Sequence, residues 1–194
     1  MSSEREGELF SASNVSGEEK SWITAYCDGG SRGNPGPAGY GVYLEDAQGR
    51  KLDELSEFLG RKTNNFAEYS SLLAALDYAL QHGITHLKVI ADSELLVRQI
   101  NGQYRVNSPE LRPLYEEALR RIRQLKGFQM QHVLREKNQN ADRLANLAMD
   151  KGTGRSSPTA PPQKTMRGFV KGGVIHLLDG ELPDGVFVEI YPRR

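Results

Sequence analysis

Between Trp22 and Lys151 the hydrophobic residues change period in an order that few folds accept. WITAYC opens a β-rich run ending at Asp28-Gly29-Gly30. GYGVYLED reads as a second strand, and KLDELSEFLG alternates apolar and polar residues like a half-buried third. Then the period lengthens. Phe66, Tyr69, Leu72, Leu73, Leu76 and Leu80 recur at the spacing of an amphipathic helix, which Gln81-His82-Gly83 closes. HLKVIAD reads as a short buried strand and ELLVRQI as a short helix. Ser108-Pro109-Glu110 is predicted to open a long helix reaching Lys126, with proline in its first turn. FQMQHVLRE alternates as a fifth strand, and a last helix begins near Asn140. Three meandering strands followed by alternating helices and strands predict an α/β fold. Its centre is one mixed five-stranded sheet, three strands antiparallel and the others parallel, with helices on both faces.

The flanks differ in composition. Residues 1–20 carry Ser, Glu and Gly but few core formers, which predicts a disordered leader. The main domain is expected over 21–151, a flexible Gly/Ser/Pro linker over 152–164, and a small β-rich hairpin module over 165–194. With 25 basic and 25 acidic residues the chain has no overall cationic field, so a polyanion has to be caught by a local patch or through metal ions. One cysteine, Cys27, excludes an internal disulfide and points to a reducing compartment, with burial as a small hydrophobe its ordinary fate. The opening residues lack the basic start and apolar run of a secretory signal, and no apolar stretch approaches the ~20 residues of a membrane span. A soluble, cytoplasmic protein without membrane contact is expected.

Four acids, Asp28, Glu68, Asp92 and Asp142, stand where predicted strands end or helices begin. Each has an ordinary use. Asp28 beside Gly-Gly suits a turn. Glu68 completes a capping box with Asn65. Asp92 could cap the helix opening at Glu94, and Asp142 sits in a first turn that favours an anion. Together they suggest more. Asp28 and Asp92 both terminate apolar strands, and adjacent strands lie only ~5 Å apart. Four converging anions would repel by several kcal/mol unless a cation joined them.

YCDGGSRGNPGPAGYGVYL, TNNFAEYSSLLAAL, VIADSELLVRQING and NADRLANLA, in that order, closely resemble the type I ribonuclease H family. The resemblance implies a ribonuclease H-like sheet and hydrolysis of the RNA strand of RNA–DNA hybrids, leaving 5′-phosphate and 3′-hydroxyl ends. It implies two Mg²⁺ ions, with Mn²⁺ able to substitute, held by Asp28, Glu68, Asp92 and Asp142. Asp28 would bridge both ions, Glu68 and Asp92 would hold the leaving-group ion, and Asp142 the ion that activates water. Asn34 and Asn65 are expected to read RNA 2′-hydroxyls, Thr63 to meet a DNA-strand phosphate, and Gly29, Asn64 and Ser93 to complete the substrate contacts. The several glycines of residues 29–41 are expected to let the backbone turn sharply and approach the strand closely.

The chain departs from many relatives in two ways. No His lies between His132 and Asp142, where a flexible-loop His is common. His132 is expected mid-strand in apolar surroundings, so Arg135, Glu136 or Lys137 are the candidate auxiliaries. The Lys/Trp-rich handle of some bacterial members is also missing, and NGQYRVNS stands in its place. Arg120, Arg121, Arg123 and Lys126 read as a solvated helix face. The C-terminal module has three open roles: self-association, nucleic-acid clamping or stabilisation. Rival readings of the whole are a compact variant that also cleaves RNA–RNA duplexes, and a non-catalytic hybrid-binding or regulatory module. Hybrid binding is expected to be weak and to fall as salt rises; titrations at several salt concentrations check this, and a salt-independent affinity contradicts it.

Overall fold

The computed structural model describes residues 22–154, 168–172 and 174–178. The expected leader over 1–20, residues 155–164 of the expected linker and much of the C-terminal module lie outside the described residues. The chain divides into two units, Met1–Ser156 and Ser157–Arg194, each considered by itself.

In the first unit β1 (Ile23–Ser31), β2 (Gly36–Glu45) and β3 (Lys51–Lys62) form the antiparallel meander. Then come α1 (Asn64–Gln81), β4 (His86–Ala91), α2 (Glu94–Ile100), α3 (Arg112–Ile122) and β5 (Gly127–His132). A 3-10 turn (Arg135–Lys137) leads into α4 (Gln139–Gly152). The sheet runs β3-β2-β1-β4-β5, with β4 parallel to β1 and β5 parallel to β4. This is the mixed five-stranded sheet expected from the change of period.

The two faces are set by alternation along β1. Cys27 and Gly29 face α1: the Cys27 thiol points to the Ser71 carbonyl at 3.8 Å, and a Cβ on Gly29 would lie 2.2 Å from the Ala67 carbonyl carbon and the Glu68 nitrogen. Asp28 pairs with Gly41 on β2. A Cβ on Gly41 would lie 2.3 Å from the Ala141 oxygen and 2.6 Å from the Ala145 nitrogen, so α4 covers the opposite face. The α1 face carries the main core. Leu72, Ala75, Leu76 and Ala79 pack there with Ala25, Leu87, Val89 and Leu96, all fully or almost fully buried. A buried Tyr69 hydroxyl donates to Gln99 at 2.8 Å, which keeps that polar pair satisfied inside the core.

Three local expectations are corrected. The long helix does not open at Ser108. α3 begins at Arg112 with Pro113 in its first turn and ends at Ile122; Ser108 instead caps the turn before it, its hydroxyl accepting from the Leu111 nitrogen at 3.4 Å. The fifth strand stops at His132 and does not continue to Glu136: β4, its neighbour, ends at Ala91 and leaves no ladder to extend, and Leu134 is exposed. Finally, β1 does not end at Asp28. It runs on to Ser31 against β2 after its pairing with β4 has stopped at Cys27↔Ala91.

α4 continues through Gly152, where the Phe58 ring of β3 fills the space of a Cβ. In the second unit β6 (Gly168–Lys171) and β7 (Val174–Leu177) form an antiparallel hairpin. Phe169 and His176 stack across it, with ring centroids 5.1 Å apart.

Gly41→Ala is expected to cost about 1–3 kcal/mol, because the new methyl meets helix backbone that cannot step aside. Gly49→Ala, where a Cβ meets open space at φ +73°, should show only the smaller cost of a left-handed backbone. Urea melts of the two variants check the order.

Candidate active site

Where β1 loses β4 as a partner, the residues after Cys27 and Ala91 are Asp28 and Asp92, side by side on neighbouring segments of the sheet edge. Glu68 arrives from one face of the sheet, because α1 touches Gly29 at the Glu68 nitrogen. Asp142 arrives from the other, because α4 lies on Gly41 through Ala141 and Ala145. All four acids line one cleft of about 270 Å³, together with Asn64, Arg32 and Arg135.

Three of the ordinary uses weighed for these acids do not hold. Thr63, and not Asn65, caps α1: its hydroxyl accepts from the Phe66 nitrogen at 3.3 Å, which leaves Glu68 a full turn inside the helix. Ser93 caps α2 by accepting from the Leu96 nitrogen at 3.3 Å, so Asp92 is spare. Asp28 lies within a continuous strand and serves no turn. Only Asp142 keeps its ordinary place, in the first turn of α4.

Burial and mutual repulsion dominate the electrostatics. Burial, then the charges of Asp92 and Asp142, push the Asp28 carboxyl up from 3.8 to about 7, although Arg135 pulls it down. Burial, with Asp92 adding, raises Glu68 from 4.5 to about 7, against hydrogen bonds from Ser93 and Asn64. The Asn64 amide donates to Glu68 Oε1 at 2.7 Å, and the Ser93 hydroxyl donates to Oε2. Asp142 receives Arg135 on Oδ1 and the Asn146 amide on Oδ2 at 3.2 Å. Among the described residues, no three His, Cys, Asp or Glu side chains are grouped as a ready-made metal cage. Each outer carboxylate is turned instead toward a protein donor.

The other expected residues fall around this cleft. Asn34 accepts from the Asn64 nitrogen at 3.2 Å, tying the β1–β2 loop to the start of α1, and Asn65 is half-buried in that first turn. Glu136 and Lys137 are exposed on the 3-10 turn. His132 does not have the apolar surroundings expected of it. It is exposed at the end of β5, with Nε2 3.2 Å from the Asp92 carbonyl. Two contributors were not singled out from the sequence. Asn138 is buried and donates to the Cys27 carbonyl at 2.9 Å and to Asp92 at 3.4 Å, while its own Oδ1 is unsatisfied. Its position before α4 signals a cap, yet its side chain does not cap. Arg32 pairs with Asp150 at 2.6 Å across 118 residues, a contact no local pattern reveals.

The sheet order and the acid cleft at the end of its central strands define a ribonuclease H-like protein. The chain belongs to the reverse transcriptase-like family, whose model matches residues 26–148. A bifunctional protein of Mycobacterium tuberculosis is 44% identical over 143 residues, covering 73% of this chain and 39% of that protein. Ribonuclease HI of Halobacterium salinarum is 40% identical over 128 residues, 66% of this chain and 64% of the relative. The chain thus spans well under half the length of the mycobacterial relatives it matches. Among solved structures, the N-terminal RNase H domain of the M. tuberculosis protein matches with TM-score 0.65 and 45% identity, over 66% of this chain and 99% of that one. LC11-RNase H1 in complex with an RNA/DNA hybrid matches with TM-score 0.65 and 40% identity, over 68% and 99%.

The raised carboxyls give a pH test. The folded protein binds the protons of Asp28 and Glu68 more tightly than the unfolded chain does, so stability falls as pH rises from about 4 to about 7, then levels off. Asp28→Asn is expected to flatten that slope. Thermal melts in chelator at about pH 5 and about pH 8 measure it.

Proposed function

We propose that this domain is a metal-dependent endonuclease that hydrolyses the RNA strand of RNA–DNA hybrids, leaving 5′-phosphate and 3′-hydroxyl ends. The observation that carries the reading is the convergence of Asp28, Glu68, Asp92 and Asp142 on one cleft, from two strands and from helices on opposite faces. The relatives support the choice of reaction: one is named ribonuclease HI, and one solved neighbour is held in complex with an RNA/DNA hybrid.

The donor set fits hard divalent cations. It consists of carboxylate oxygens, and two of the four carboxyls are driven toward neutrality by burial and by neighbouring acids, both of which a cation would offset. Asp28 would hold both of a pair of Mg²⁺ or Mn²⁺ ions, Glu68 and Asp92 one, and Asp142 the other. When bound, such ions supply an activated water and neutralise charge on the leaving oxygen. The chain's own residues do the positioning. Ser93 and Asn64 orient Glu68, Asn138 orients Asp92, and Asn146 holds Asp142.

Substrate contacts fit the same rim. Asn34, Asn64 and Asn65 stand beside one another at the loop and at the start of α1, where amides can donate to and accept from a 2′-hydroxyl. Thr63 and Ser93, already helix caps, lie where helix N-termini favour phosphate oxygens, and Gly29 keeps the floor low. No helix among the described residues is long and apolar enough to cross a membrane.

Incubating the chain with Mg²⁺ and labelled hybrid, RNA duplex or DNA duplex tests the proposal. Cleavage confined to the RNA of the hybrid is expected, and intact hybrid under all conditions contradicts it. Asp28→Asn should lower the rate by at least about 10²-fold, the scale of losing charge stabilisation at the reacting centre. Glu136→Ala should cost far less, because Glu136 is exposed on the turn.

A further inference from the structure

The guanidinium of Arg135 lies on a carboxylate that the proposed function assigns to a metal. Its Nε donates to Asp142 Oδ1 at 3.1 Å, and Nη2 donates to the same oxygen. Its charge also reaches Asp28 and Asp92. Among the described residues, no side chain donates a hydrogen bond to Asp28, so the relief that carboxylate obtains comes through space from Arg135. The other arginine on the cleft, Arg32, is committed to Asp150 and leaves Arg135 as the arginine that faces Asp142, Asp28 and Asp92.

The anchorage of Arg135 is slight. It begins a single 3-10 turn between β5 and α4, and its side chain is 71% exposed. An ion pair with that much solvent contact is worth little in net stability and can open without disturbing the core. Asp142, by contrast, is held on the helix that Gly41 locks to the sheet. The guanidinium can therefore move while the carboxylate stays.

We propose that Arg135 is a built-in counter-ion that a divalent cation must displace from Asp142, so that loading of this site is an exchange of cations. The inference rests on the metal-dependent reading above. In the metal-free protein Arg135 offsets the repulsion among the carboxylates. In the loaded protein the guanidinium is released from Asp142 to solvent.

Calorimetric titration of the full chain with Mn²⁺, without nucleic acid, tests this on wild type, Arg135→Gln and Arg135→Lys. Removing the competitor should tighten Mn²⁺ binding in Arg135→Gln by roughly two- to fivefold, the scale of an exposed ion pair. Arg135→Lys, which keeps the charge, should stay near wild type. Without metal Arg135→Gln should melt lower than wild type at about pH 8, and Mn²⁺ should raise its melting temperature by the larger increment. If wild type binds Mn²⁺ and Arg135→Gln binds it equally or more weakly, the exchange is overturned and the nuclease reading stands. If wild type binds no Mn²⁺ at all, both fall.

Discussion

The site depends on how closely two helices can approach one pair of strands. At Gly29 and Gly41 helix backbone occupies the volume a β-carbon would need, from opposite sides of the sheet. Glu68 and Asp142 reach the central strand because nothing larger than hydrogen intervenes. A side chain at either glycine would lift a helix, and the carboxylate it carries, away from Asp28. Packing and chemistry are therefore one constraint here: the residues that make the close approach carry no charge, and the charges owe their meeting to them.

That convergence has an electrostatic cost which the fold spreads over neutral donors. Asn64 and Ser93 take up Glu68, Asn146 takes up Asp142, and Asn138 reaches from the start of α4 to Asp92. Asp28 is left as the least compensated of the four. A half-buried acid with three acidic neighbours keeps its proton to near-neutral pH, which a structural role would not require. Donors that satisfy acids one at a time, while the innermost stays poorly served, suit a cluster meant for a multivalent cation.

Much of this was legible in the sequence. The change from period two to period 3.6 after Lys62 is a local signal, and it survived because each element buries one face. The four acids could be singled out because the motifs around them carried the family, although Asp28 lies within a strand and Glu68 inside a helix. Boundaries that depend on neighbours were not legible. β5 ends at His132 because β4 ends, and β1 outlasts Asp28 because β2 does. The start of α3 was misplaced because two prolines, Pro109 and Pro113, offer the same first-turn signal, and the first belongs to the separate turn that Ser108 caps. Thr63 took the cap from Asn65 by a similar local competition. The Arg32–Asp150 and Asn138–Cys27 contacts span more than a hundred residues, beyond any periodicity.

The contact between Gly152 and the Phe58 ring bears on what can follow this domain. α4 is pinned to the sheet near its beginning by Gly41 and at its very end by Gly152, like a beam clamped at two supports. A larger residue at position 152 would have to push the helix end off that ring, and the same helix carries Asp142 in its first turn. Changes to the chain beyond Thr153 therefore meet that contact before they meet Asp142.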